Sequence, residues 1–403
     1  MRDGNLLLSK LLSNMKEVIP SCPECDSKMR NLGKRRKHIV SLLGDSTITR
    51  NYYECEKCGY HSIPKDKLLD IENTSFTQGV RRVAAKLAAC DSFQNSSAAM
   101  AELCGIYVCG KDTERIAQTA GLALETEKQA QIEAVFSMDG INRAVESVPV
   151  MYIEYDGTGV PVMKREVANR KGKQSDGTAK TREVKLGCIF TQTGTNIEGS
   201  PIRDENSTSY FGAIEASDSF SKRLFMEAAN RGVDSAQKVV IIGDGAKWIW
   251  NLANDNFPNA IQIVDVFHAK EHLSELIHEL FLDADMQARI KNDWFALLDG
   301  GDIPKLTFEM GAVITSEEKE TLLQREITYF TENASRMQYA SFKKMGLFIG
   351  SGVIEAGCKN VIGKRFKQSG MHWSVRGANA IIALRCALLS GNSHLLSHMS
   401  MAA

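Results

Sequence analysis

The feature that most constrains this chain is a repeated cysteine spacing. Cys22-Pro23-Glu24-Cys25 is followed, after 29 intervening residues, by Cys55-Glu56-Lys57-Cys58. Two residues between paired cysteines let both thiolates reach one tetrahedral ion from a tight turn, and two such knuckles complete a four-thiolate shell around zinc. Ile39–Leu43 and Thr47–Tyr53 read as strands joined by a Gly44-Asp45 turn, so the pattern is knuckle, hairpin, knuckle: a zinc ribbon. A redox dithiol pair or incidental buried cysteines are the competing readings. Ten cysteines in 403 residues are too few for a disulfide scaffold. Cys90, Cys104, Cys109, Cys188, Cys358 and Cys386 read as reduced core thiols.

A chain of this length predicts two or three domains. Lys+Arg and Asp+Glu are equal at 49 each, but the balance is uneven along the chain. Lys28 to His38 carries Lys28, Arg30, Lys34, Arg35, Arg36 and Lys37 without an acid, and no Asp or Glu follows Glu355. Between Lys270 and Gly350 acids outnumber bases 14 to 9. Two basic ends therefore flank an acidic middle, which is either plain solvation or local attraction to a polyanion. No secretory leader and no apolar run of about 18 residues is present, so the sequence predicts a soluble protein of a reducing compartment.

Phe76 to Glu133 is Ala-rich, proline-free and helical in period. Ser96–Cys104 and Lys111–Glu127, joined by Gly105–Gly110, fit a helix-turn-helix or ordinary bundle packing. From Val148 the pattern becomes α/β. Val150–Tyr155 is expected to end at Asp156, Lys238–Gly243 at Asp244, and Ala260–Val264 at Asp265. Val184–Thr191 is a further strand, following a Gly- and Lys-rich turn around Arg170–Lys180. A single strand-end Asp is usually a turn former or helix cap. Three of them at the carboxyl edge of a sheet, where ligands bind, point to Mg²⁺ and phosphodiester chemistry. Glu355, in Gly350-Ser351-Gly352-Val353-Ile354-Glu355, starts a helix off its packing side and shares a face with Lys359, so it is either the third carboxylate or half of a surface ion pair. His268 lies one helical turn beyond Asp265. The pair reads as cap and packed imidazole, or as groups orienting the carboxylates.

Four strings, YDGTGVP, GDGAKWIW, DVFHAKEH and GSGVIEAGCKNVIGKRFKQSGMHW, together with NYYECEKCGYHSIPKD at the front, resemble DDE transposases of the Mutator-like, Kra-type group of bacterial insertion sequences. The resemblance runs in order from about Cys22 to about Leu389. It implies a multidomain α/β protein with a zinc ribbon over 1–70, a helical DNA-binding region over 71–145 and an RNase H-like DDE catalytic core over 146–403, interrupted by a helical insertion at about 273–345. It implies Asp156, Asp244 and Glu355 as ligands of two Mg²⁺ or Mn²⁺ ions. Asp265 and His268 match a [C/D]-x-x-H signature beside that site. Cys22, Cys25, Cys55 and Cys58 would hold one structural Zn²⁺.

The implied partners are transposon-end and target DNA, met by Lys34, Arg35, Arg36 and Lys37 at the front and by Lys359, Lys364, Arg365, Lys367 and Arg376 at the back. The resemblance further implies a homodimer or higher assembly on DNA, in the bacterial cytoplasm and nucleoid. An RNase H-fold nuclease without strand transfer, or a zinc-ribbon DNA-binding regulator, are the alternatives.

Overall fold

The computed structural model describes residues 2–16, 19–137, 147–168, 170–172 and 178–392. The first of its two units takes the chain up to Glu127 together with Arg376–Leu388; the second takes Lys128–Val375 and Leu389–Gly391.

In the first unit, α1 (Arg2–Asn14) lies on a hairpin of β1 (Arg30–Ser41) and β2 (Gly44–Glu54), extended by the short β3 (His61–Ser62). The hairpin is longer than the sequence suggests, and its turn falls at Leu42-Leu43 rather than Gly44-Asp45. The basic run is therefore on a strand. Lys34, Arg35 and Arg36 are exposed there, whereas the Lys37 side chain is half-buried. Its ammonium bonds Asp66 at 3.2 Å and the Ile71 carbonyl at 2.6 Å, so the expectation of a DNA contact at Lys37 is corrected to a structural one. Asp66, on α2 (Pro64–Leu68), also binds the Arg50 guanidinium, and it is only 6% exposed.

The helices α3 (Gln78–Cys90), α4 (Phe93–Cys104) and α5 (Gly110–Phe136) follow. The α4 helix starts three residues earlier than its periodicity indicates, because the Ser92 hydroxyl caps it by accepting from the Asn95 amide at 3.1 Å.

The second unit is built on a five-stranded sheet. Its members are β4 (Val150–Pro161), β5 (Thr181–Gln192), β8 (Ser209–Ala213), β9 (Lys238–Gly243) and β10 (Ile261–Val264), with a two-stranded ribbon of β6 (Gly194–Thr195) and β7 (Pro201–Ile202) beside it in sequence. The spatial order is β10-β9-β4-β5-β8. The β4, β9 and β10 strands are parallel, while β5 is antiparallel to both β4 and β8. The crossovers are α6 (Ser217–Asn230) and α7 (Lys247–Asn256).

The sequence expectation that β4 stops at Asp156 is corrected. β5 pairs with it as far as Pro161↔Thr181, so Asp156 sits within the strand, opposite Leu186. What ends near Asp156 is the parallel pairing with β9, whose last partners are Glu154 and Ile242. Much of the turn expected at Arg170–Lys180 lies outside the described residues.

After β10 a helical run begins: α8 (Val266–Leu280), α9 (Ala284–Gly300), α10 (Ile303–Gly311), α11 (Glu317–Glu332) and α12 (Tyr339–Lys344). Next come α13 (Gly352–Gly357), a π-helical turn over Cys358–Gly363 and α14 (Lys364–Phe366), one continuous helical stretch. The final helix is α15 (Val375–Leu389). From Arg376 to Leu388 it belongs with the first unit, where Gly121 of α5 lies so close to the Ala380 carbonyl that a β-carbon would not fit. The sequence reading assigns this segment to the catalytic region and puts a boundary at 145, which lies outside the described residues. The unit division instead falls within α5, at Glu127.

The buried Lys37–Asp66–Arg50 cluster gives a direct stability test. Asp66→Ala leaves two cations with little solvent, a loss of about 3–5 kcal/mol. Urea titration of the Asp66→Ala protein should show the first unit unfolding first; an unchanged midpoint would show the cluster to be energetically neutral.

Candidate functional site

The two cysteine knuckles have matching backbones. The Asp26 amide donates to the Cys22 carbonyl at 2.8 Å, and the Gly59 amide donates to the Cys55 carbonyl at 2.8 Å. β1 and β2 bring the two turns together. Cys22–Cys58, Cys25–Cys55 and Cys25–Cys58 sulfurs stand 3.4, 3.5 and 3.7 Å apart. These spacings are too long for a disulfide and close to the edge of a tetrahedron with Zn–S bonds of about 2.3 Å. Among the described residues this is the group of His, Cys, Asp or Glu whose ligand atoms all lie within 4.8 Å of one another. Hydrogen bonds from Ser27 pull the Cys25 thiol down to about 6. Cys58 is pushed up to about 12: the Tyr60 amide opposes the rise, and the neighbouring thiols drive it. Four sulfurs cannot all carry charge at this range without a cation between them, and the group could hold zinc.

The carboxylates occupy the other unit. Asp156 Oδ1 accepts from the Gly157 amide at 2.6 Å, and its Oδ2 lies 3.7 Å from Cys358 Sγ. Burial first, then the charges of Asp244 and Glu183, pushes the Asp156 carboxyl above its ordinary value, against the Gly157 amide. Asp244 follows β9, where its Oδ1 accepts from the Ala246 amide at 2.9 Å. Glu355 is exposed on α13, and its Oε1 accepts from Ser351 Oγ at 3.3 Å. Asp156, Asp244 and Glu355 do not close into a single-ion cluster of the cysteine kind. Their oxygens are nevertheless a hard-cation donor set, and the mutual repulsion at Asp156 is what a cation would relieve.

Asp265 is almost wholly buried, at 1% exposure. Its Oδ1 caps α8, accepting from the Phe267 amide at 2.6 Å and the His268 amide at 3.1 Å. Its Oδ2 accepts from the Ser351 amide at 2.6 Å and from the Ser351 hydroxyl. His268, in the first turn of α8, faces Glu271 at 3.5 Å and meets the His272 ring edge-on. His272 in turn stacks on Tyr329 with centroids 4.2 Å apart and bonds Glu326 at 2.7 Å. The Tyr329 hydroxyl donates to the Asp244 carbonyl at 3.2 Å, which ties α11 to the end of β9.

The cationic candidates divide. Lys359, Lys364 and Lys367 are exposed, and Lys367 Nζ donates to Thr158 Oγ1 at 2.9 Å, two residues beyond Asp156. Arg376 is exposed at the start of α15. Arg365 is not available to a phosphate: it is fully buried, with its guanidinium 4.9 Å over the Trp373 ring and 3.6 Å from Met371 Sδ. That expectation is corrected, the cause being the inward-facing side of the helical stretch.

Sequence reasoning missed Glu154, Ser351, Glu183 and Tyr329. Glu154 alone carried a signal, as a lone charge inside the apolar strand VMYIEY. It is fully buried, and burial pushes its carboxyl up to about 8, with the Ile354 amide opposing and Asp265 and Glu355 adding to the rise.

Purified protein should carry one zinc per chain by elemental analysis. Cys22→Ser or Cys55→Ser should empty the site and make the ribbon protease-sensitive. Zinc-free wild-type protein whose four thiols alkylate freely is the result that would rule the site out.

No curated protein matches the sequence. Among solved structures, a chain of the "Drosophila P element transposase strand transfer complex" is similar, with a TM-score of 0.38 and 8% identity, over 81% of this chain and 94% of that one. The pattern described as "Uncharacterised protein family (UPF0236)" matches residues 4–401, and the chain belongs to that family.

Proposed function

We propose that this protein is a DDE transposase of the Mutator-like, Kra-type group, cutting DNA at insertion-sequence ends and joining the freed 3′ ends to target DNA. The observation that carries the reading is the placement of Asp156, Asp244 and Glu355. One lies on the central strand where parallel pairing ends, one at the end of the next parallel strand, and one on a helix beside the first. The strand order, with three antiparallel strands followed by two parallel ones reached through helices, supports an RNase H-like core. In that reading α8 to α12 are the helical insertion.

Asp156, Asp244 and Glu355 would hold two Mg²⁺ or Mn²⁺ ions, which when bound would activate a water or a 3′-hydroxyl and stabilise the leaving 3′ oxygen. The protein's own residues do the rest. Lys359, Lys364 and Lys367 neutralise backbone phosphates beside the carboxylates, a sequence-independent and salt-sensitive contribution. Lys34, Arg35 and Arg36 do the same on the ribbon, where Arg35 lies 5.3 Å over the Tyr52 ring. Reading of the end sequence falls to the ribbon and to α4–α5. Arg376 adds to the phosphate contacts, and the active species is a dimer or larger assembly on DNA. Asp265 acts by fixing the heads of α8 and α13, and His268 by orienting groups around Asp244. No described helix is long and apolar enough to cross a membrane.

The decisive assay is cleavage and joining of DNA carrying the sequences that flank the gene on either side, in Mg²⁺. Asp156→Ala, Asp244→Ala and Glu355→Gln should each abolish strand cleavage while end binding persists; near-normal cleavage by any one removes that residue from the metal site. Cutting without joining would favour a nuclease, and binding without cutting a regulator. His268→Ala should slow cleavage by about 10- to 100-fold with zinc content unchanged. A wild-type rate would return His268 to simple packing.

A further inference from the structure

We propose that Glu154 is a positioning residue that clamps the head of α13 to β4, so that Glu355 and Asp156 are held in register by one strand. The inference rests on the functional reading above and deepens it. Glu154 and Asp156 are two residues apart on β4 and share a face of the sheet. Their partners across the ladder are Cys188 and Leu186. α13 lies directly on that face: a β-carbon at Gly357 would come within 2.7 Å of the Tyr210 ring and 3.5 Å of Leu186. Glu154 Oε2 accepts from the Ile354 amide at 2.8 Å, one residue before Glu355.

α13 needs such a clamp. After six residues it passes into a π turn, so a regular α-helical ladder does not continue behind its head. Its first-turn amides have no partners inside the helix. Two buried carboxylates take them: Asp265 binds the Ser351 amide, and Glu154 binds the Ile354 amide. The segment that follows the stretch returns to the same strand, where the Trp373 amide donates to the Pro161 carbonyl at 3.1 Å. β4 thus holds the head of the stretch at Glu154 and the segment after it at Pro161, and carries Asp156 between the two contacts. An acid here is costly for the fold. Glu154 Oε1 is buried with no hydrogen-bond partner among the described residues, and an apolar residue would fill the place without that penalty.

The test uses the full-length protein with Glu154→Gln and Glu154→Leu, read by Mn²⁺ binding in calorimetry and by the metal dependence of cleavage. Gln keeps a carbonyl oxygen for the Ile354 amide and should stay within about threefold of wild type. Leu removes the acceptor and should weaken Mn²⁺ binding by about 10- to 100-fold, with circular dichroism and zinc content unchanged. Glu154→Met, flexible and of similar length, substitutes if Leu does not fold. Mn²⁺ affinity of the apolar variant equal to wild type overturns the proposal. So does a Gln variant as weak as Leu, which would make the charge itself the active feature, and so does loss of fold in both apolar variants. Failure of the wild type to bind Mn²⁺ or cleave DNA would instead defeat the functional reading.

Discussion

The second unit depends on one buried carboxylate. Asp265 takes hydrogen bonds from two backbone amides of α8 and from the amide and hydroxyl of Ser351, 86 residues further on. It therefore joins the end of β10, the first helix of the long helical run and the head of α13 at one point. A carboxylate at this depth is stable only because N-terminal helix amides surround it. Both helices then point their N-termini toward the edge where Asp156 and Asp244 also lie. Asp265 is a cap, as a strand-end Asp usually is, and through Ser351 it also holds the head of the helix bearing Glu355.

A second layer ties the helical run to Asp244. Tyr329 of α11 reaches the Asp244 carbonyl, and His272 of α8 stacks on the same ring while its imidazole bonds Glu326. Glu326, although burial acts against it, is held below its ordinary value by His272 and Arg325. Each polar group in this layer has a partner, as buried networks require. The run of acidic helices is thus more than a spacer, because it supplies the wall behind the β9 end.

The parts of this structure legible in the sequence are those set by local patterns. The knuckles, the apolar runs of β4, β9 and β10, and the carboxylates that follow them are readable because a few adjacent residues determine each. β8 escapes such a reading, since Ser209–Ala213 is short and lacks clear alternation. β4 comes out too short because Asp-Gly-Thr-Gly reads as a turn, and only β5 on its flank keeps it extended. Glu154 and Ile354 are 200 residues apart, and no spacing rule reports that contact. The basic run reads as a patch, yet its last member, Lys37, is taken by Asp66 of α2, a contact 29 residues away that the run itself does not announce.

Charge is also sorted along the helical stretch that contains the π turn. In an α-helix, residues five apart are displaced by roughly 140° around the axis, so Lys359 and Lys364 would face different sides. A π turn is wider, its hydrogen bonds spanning five residues, so the one over Cys358–Gly363 reduces the angle between Lys359 and Lys364. Lys367 lies three residues on from Lys364, and all three lysines are exposed while Arg365 is buried over Trp373. The mixed cationic run thus divides into an outer row of ammonium groups and an inner guanidinium that packs. The outer row runs from the helix of Glu355 to Thr158, which Lys367 contacts just beyond Asp156. A phosphate backbone laid along that row would pass the carboxylates, which is the arrangement the proposed chemistry needs.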